Sequence, residues 1–155
     1  MFYSLTGKIV YSDQYCVAID CNGVAYKCTV SLNTLSQLPS LGSTATLFTH
    51  IVFNQNATAK DDAFEMLGFY DRQELEFFKL LVSVSGVGAK AAISILSTAS
   101  PSALAVSIAS GDVKAITKAQ GVGPKIAQRV VLELKSKMER LAPSRVSSEE
   151  ISGYE

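Results

Sequence analysis

Two short stretches hold the residues best suited to chemistry, and that chemistry is the capture of an anion. Gly86-Val87-Gly88-Ala89-Lys90 recurs as Gly121-Val122-Gly123-Pro124-Lys125, with both glycines, the valine and the lysine repeated 35 positions later. In each copy the first glycine can take a positive φ at no steric cost and stop a helix. The valine can plug the space between that helix and the next, and the second glycine leaves room for a close approach to the backbone. The following helix then opens with unpaired N–H groups and the positive end of its dipole outward, a ready anion site. Pro124 suits that first turn, where its missing N–H would have been unpaired anyway. Lys90 and Lys125 add a full charge beside it, and Arg129, four residues after Lys125, shares its helix face. The natural anion is a phosphate.

A single Gly-Val-Gly reads as a helix cap followed by an ordinary turn. Two copies with the same lysine in the same place can grip successive phosphates of one duplex, along its minor-groove side. The repeat also extends beyond the turns: Leu81 matches Ile116, Ala92 matches Ala127, Ile95 matches Val130 and Leu96 matches Val131. Ser83, Ser85 and Gln120 offer further hydrogen-bond donors. The expected DNA-binding set is Ser85, Gly86, Val87, Gly88 and Lys90 in the first copy, with Gln120, Gly121, Val122, Gly123, Lys125 and Arg129 in the second. Backbone contacts of this kind position a protein without reading base sequence, and they weaken as salt rises.

Net charge is zero over 155 residues, which by itself argues against a nucleic-acid partner. Its distribution argues the other way. Residues 1–70 carry a balance of −2, residues 71–141 a balance of +4 and residues 142–155 a balance of −2. Positive charge is gathered in the segment that holds both repeats, as a phosphate-binding surface requires. The apolar runs are too short to span a bilayer, and Met1 to Lys8 lacks the layout of a signal peptide. Cys16, Cys21 and Cys28 fit no metal spacing and leave one over, as small buried hydrophobes in a reducing cytoplasm would. No metal and no cofactor are expected.

The elements that must carry these turns follow from pattern. Residues 2–70 read as β: Phe2 to Tyr11, Cys16 to Asp20, Val24 to Val30, Ala45 to Phe53 and Phe64 to Phe69. Asn22-Gly23 is a two-residue hairpin signal, and Ser31 to Leu41 reads as a connection. Five strands in this length predict a closed barrel of the OB type, with Gly7 and Gly68 at bends or close approaches. Asp71-Arg-Gln-Glu74 is a capping box opening a helix whose apolar face is Leu75, Phe78, Leu81 and Val82. Ser100-Pro101 starts another helix and Gly111 stops it; Asp112 caps a short one; Lys125 to Leu141 is the longest, with Ile126, Val130, Leu134 and Met138 on one stripe. The expected fold is α+β in two domains: an OB-type five-stranded β-barrel over 1–70, then an all-α domain over 71–141. Its two helix–hairpin–helix motifs fall at 81–97 and 116–135. Residues 142–155 read as a flexible tail or the start of a linker.

Other candidates carry less. The polar loop from Asn54 ends in Asp61 and Asp62, which read as a solubilising tip; a metal site there has no supporting third ligand. His50, the only histidine, suits a satisfied position at a strand end. A glycosylase would need an acid soon after the hairpin, yet residues 113–155 hold no Asp and residues 87–111 no acid of either kind. A phosphate loop for ATP hydrolysis is missing as well. The chain therefore reads as a non-catalytic DNA-binding subunit. A generic duplex-binding module of a repair or nuclease complex is the alternative, and a protein-interaction scaffold a third.

These residues resemble the tandem helix–hairpin–helix motifs of the RuvA family, which binds Holliday junctions in bacteria. The resemblance covers roughly residues 1–141 and includes Asn22-Gly23-Val24-Ala25-Tyr26, Phe48-Thr49-His50, Leu67-Gly68-Phe69 and Arg72-Gln73-Glu74. It implies a homotetramer, or two tetramers as an octamer, that holds a four-way DNA junction open and flat for branch migration in recombination and repair. It implies partnership with the RuvB ATPase motor and the RuvC resolvase. It also implies that Asp61 and Asp62 form an acidic pin, repelling phosphates at the crossover and discouraging continuous duplex. The family carries a third helical domain that contacts the motor, and the fourteen residues after Leu141 are too few to form it. The expectation is a shortened or incomplete relative that keeps junction binding, with motor coupling in doubt.

Overall fold

The computed structural model describes residues 2–60 and 63–141; Asp61 and Asp62, expected as the acidic pin, and the expected tail lie outside the described residues. Five strands, β1 (Ser4–Ser12), β2 (Cys16–Cys21), β3 (Val24–Thr29), β4 (Thr44–Phe53) and β5 (Phe64–Phe69), close a barrel in the order β1-β2-β3-β5-β4. Asn22 and Gly23 both take positive φ (55° and 91°), as the tightest hairpin turn demands. The β3–β5 closure is parallel, through Thr29 and Leu67, and every other pairing is antiparallel. Alternation sends Leu5, Ile9, Val17, Ile19, Cys28, Ala45 and Leu47 into the barrel core. Both internal glycines stand at close approaches. A Cβ on Gly7 would fall 2.0 Å from the Asp20 carbonyl oxygen, and one on Gly68 would fall 2.8 Å from Leu47 Cδ1.

Of the three cysteines Cys28 alone is fully buried, and burial pushes its thiol up to about 12; Cys16 and Cys21 are half-buried. The reading of all three as buried hydrophobes therefore holds for one. The connection after β3 also differs from expectation. It contains a short helix, α1 (Leu32–Gln37), capped by the Ser31 hydroxyl, which accepts from Thr34 N–H at 3.0 Å. A six-residue helix of LNTLSQ has too little apolar periodicity to announce itself.

Helices α2 (Arg72–Val82), α3 (Ala89–Leu96), α4 (Pro101–Ala109), α5 (Val113–Thr117) and α6 (Pro124–Leu141) follow. Three caps form as the sequence predicts: Asp71, Ser100 and Asp112 each accept an N–H from three residues on, and Pro101 opens α4. The reciprocal half of the capping box does not form. Glu74 turns away from the cap into a fully buried seam, where its carboxylate accepts hydrogen bonds from the Ser31 and Thr34 hydroxyls. Tertiary partners that satisfy both oxygens outcompete a local bond to the cap.

A second hydrophobic core, separate from that inside the barrel, joins β5 to the helices. Leu67 and Phe69 of β5 are buried with Leu75, Phe78 and Leu81 of α2 and with Ile95, Leu104, Ile108, Ile116 and Val130. Phe69 and Phe78 rings lie 5.2 Å apart, and His50 packs edge-on to Phe78 at 5.5 Å. Burial pushes the His50 imidazole below its ordinary range, and Lys79 adds to this. His50 is thus a seam residue inside β4, opposite Leu67, and not at the strand end the sequence suggests.

Candidate nucleic-acid interface

The two turns are built alike, with corresponding glycine dihedrals and main-chain hydrogen bonds. Gly86 and Gly121 adopt φ of 89° and 79°, a left-handed conformation at the third position of each turn; α2 and α5 have already ended at Val82 and Thr117, so neither glycine is the helix stop its sequence position suggests. Val87 N–H donates to Val84 O at 3.1 Å, and Val122 N–H donates to Ala119 O at 3.2 Å. Ala92 N–H reaches Gly88 O at 3.0 Å, and Ala127 N–H reaches Gly123 O at 3.0 Å, closing the first turn of α3 and of α6. Residues that the repeat relates also share their burial: Leu81 with Ile116, Val84 with Ala119, Val87 with Val122, Ala92 with Ala127, and Ile95 with Val130.

What remains exposed is the turn surface and the opening of each second helix. Ser85, Gly86, Gly88 and Lys90 are exposed in the first turn, and Gln120, Gly121, Gly123, Lys125 and Arg129 in the second. Gly88 caps α3 with extended backbone and no side-chain hydrogen bond. The N–H groups of Ala89, Lys90 and Ala91 therefore have no helical acceptor, nor do those of Lys125 and Ile126 behind Pro124. Among the described residues the ion pairs are Arg72–Glu76 and Lys79–Glu76, so Lys90 and Lys125 carry uncompensated charge beside these openings. Such a surface can hold an oxyanion at each turn, by N–H donors, a helix dipole and a lysine together.

Four expected contact residues are placed differently. Val87 and Val122 turn their side chains into the core and commit their N–H groups to the turns, so they shape the surface from below. The Ser83 hydroxyl is engaged, donating to Leu80 O and accepting from Lys137 Nζ at 2.7 Å. Arg129 is exposed, yet one of its nitrogens, Nη1, donates to the Ser85 carbonyl at 3.0 Å, tying α6 to the first turn. The guanidinium keeps further donors beyond that bond. Ser94 on α3 was not singled out by its sequence neighbourhood; its hydroxyl donates to the Gln120 carbonyl at 2.8 Å. The repeat itself carried the missing signal, since Ser94 occupies the position equivalent to Arg129. Among the described residues no group of three or more His, Cys, Asp or Glu could hold a metal ion.

A closed five-stranded barrel followed by paired glycine-turn hairpins, each opening a helix toward solvent, defines a tandem helix–hairpin–helix protein with an OB-like N-terminal domain. Residues 78–136 match the family model described as "SAM-like Helix-hairpin-helix tandem", and residues 1–59 match "RuvA N terminal domain". The chain is 40% identical over 140 residues to a protein of Acetivibrio thermocellus, covering 90% of this chain and 66% of that one. It is 40% identical over 150 residues to one of Clostridium perfringens, covering 97% and 70%. With one of Alkaliphilus metalliredigens it is 41% identical over 139 residues, covering 90% and 68%. Each of these relatives is named "Holliday junction branch migration complex subunit RuvA". The chain belongs to the RuvA family, and it spans about two thirds of the length of these relatives.

Proposed function

We propose that this protein is a non-catalytic DNA-binding subunit that recognises four-way junctions through the sugar-phosphate backbone and holds them open for branch migration. The observation that carries the reading is the duplicated turn: two exposed helix openings of the same main-chain geometry, each with a lysine that has no ion-pair partner among the described residues. Two such grips on one duplex arm fix its path without reference to its sequence. Ser85, Gly86, Gly88 and Lys90 serve one grip, with Gln120, Gly121, Gly123, Lys125 and the spare donors of Arg129 serving the other. Asp61 and Asp62 repel phosphates at the crossover, which favours a branched substrate over continuous duplex. The name of the relatives supports a subunit acting in a branch-migration complex; a homo-oligomer working beside a separate RuvB motor and the RuvC resolvase is what the family resemblance adds to that reading. The sequence has no phosphate loop of its own.

The test compares a four-way junction with a linear duplex of the same sequence by gel shift at matched salt, alongside mass determination in solution. Tighter binding of the junction is expected, with affinity falling steeply as salt rises. Equal affinity for the two DNAs would instead indicate a generic duplex-binding module, and affinity insensitive to salt would exclude the backbone grip.

A further inference from the structure

Arg129 and Ser94 are related by the 35-residue repeat, and so are the residues whose carbonyls they hold, Ser85 and Gln120. Each hairpin's second helix thus reaches across to the turn of the other hairpin and pins it at the same main-chain oxygen. A serine inside a helix ordinarily bonds a carbonyl of its own preceding turn; Ser94 donates across the repeat at 2.8 Å.

The consequence is directional. In a planar trans peptide the carbonyl and the following N–H point opposite ways, and the described residues contain no cis bond. Pinning the Gln120 oxygen against α3 therefore turns the Gly121 N–H away from α3 toward solvent. Pinning the Ser85 oxygen against α6 does the same for the Gly86 N–H. Gly121 in particular needs such a restraint: a Cβ placed there would meet nothing within 4 Å, so its left-handed turn has no packing neighbour on that side.

We propose that Ser94 is a positioning residue for the second hairpin: through the Gln120 carbonyl it fixes the Gly121-to-Lys125 opening that receives a phosphate, although it sits on a helix of the first hairpin. This rests on the reading of both openings as phosphate grips. It predicts an unusual pattern of coupling. Ser94 lies one turn from Lys90 on α3, yet its energetic partner is Lys125.

The experiment is a double-mutant cycle on a fluorescein-labelled four-way junction. Ser94→Ala is combined separately with Lys90→Ala and with Lys125→Ala, and Ser94→Thr restores the hydroxyl. Ser94→Ala should weaken binding roughly threefold to tenfold, the range of one hydrogen bond, while leaving the salt slope and the unfolding midpoint near those of the parent. Ser94→Thr should bind like the parent. The Ser94→Ala effect should shrink in the Lys125→Ala background and add in full in the Lys90→Ala background. Unchanged affinity in Ser94→Ala, additivity with both lysines, coupling to Lys90, or an equal loss in Ser94→Thr would each overturn the assignment. Lysine variants that lose affinity while Ser94→Ala does not would sink the brace alone. Lysine variants that lose none would remove the phosphate-grip reading and the brace with it.

Discussion

Thr34 Oγ1 donates to Glu74 Oε2 at 2.5 Å, inside a seam where the glutamate has no solvent exposure. Thr34 Oγ1 in turn accepts from Tyr70 N–H at 2.9 Å, and the Ser31 hydroxyl donates to the other carboxylate oxygen. The chain from α1 through Glu74 to Tyr70, just past β5, is a polar tie between barrel and helices.

Burial holds the Glu74 carboxyl above its ordinary range, and the Ser31 and Thr34 hydroxyls oppose that only in part. A folded-state pKa above the unfolded one favours the fold in acid. The contribution is fully present below the unfolded glutamate value and is lost as pH rises through the folded one. Glu74→Gln has no proton to lose, so the stability difference between parent and variant should shift in the variant's favour across that window. Urea unfolding from mildly acidic to neutral pH measures it, and parallel pH profiles would count against the buried ionisation. Glu74→Ala leaves both hydroxyls without their acceptor and should cost about 2–4 kcal/mol at the acid end of that range, the cost shrinking as pH rises.

Lys90→Ala and Lys125→Ala should each weaken junction binding across all sequences. Each should also flatten the dependence of log affinity on log salt by about one unit. Titrations at several salt concentrations read both numbers, and an unchanged slope in both variants would mean that neither lysine meets a phosphate.

Gly86→Ala should destabilise more than Gly121→Ala. Both positions have positive φ, which costs an alanine about 1–2 kcal/mol. A methyl at 86 also meets Ile126 Cδ1 at 3.0 Å, whereas one at 121 meets nothing within 4 Å. The repeat explains the difference, because the residue equivalent to Ile126 is the much smaller Ala91. Equal unfolding midpoints for the two variants would show that Ile126 moves aside freely.

Asp61→Asn combined with Asp62→Asn should raise affinity for plain duplex several-fold at low salt, through lost repulsion, and so lower the preference for a junction. Competition between the two DNAs measures the ratio. A duplex affinity that stays put would identify the pair as a solvated loop end.

Much of this architecture is legible in the chain because its signals are local. The Asn22-Gly23 turn, the Asp71, Ser100 and Asp112 caps and the glycine stop at 111 each act over a few residues, and each forms. The duplicated turn is legible because a repeat compares the chain with itself. Long-range partners are not. Glu74 satisfies the pattern of a capping box, yet two hydroxyls some forty residues earlier claim its carboxylate. Arg129 has the spacing of a surface cation, and only the folded chain brings Ser85 under it. Helix α1 escapes notice because its anchors, Ser31 and Thr34, look like loop residues until Glu74 is opposite them.

Strand β5 serves two masters. Its Leu67 and Phe69 are buried among helices, while its backbone completes the barrel through β4 and the Thr29–Leu67 bridge. A cut after Tyr70 would strip the helical half of its floor and leave the barrel with a greasy outer wall, so neither half travels as a cassette. Chimeras that exchange the N-terminal part between relatives should therefore carry residues 64–70 together with the matching α2, or inherit two incomplete interiors.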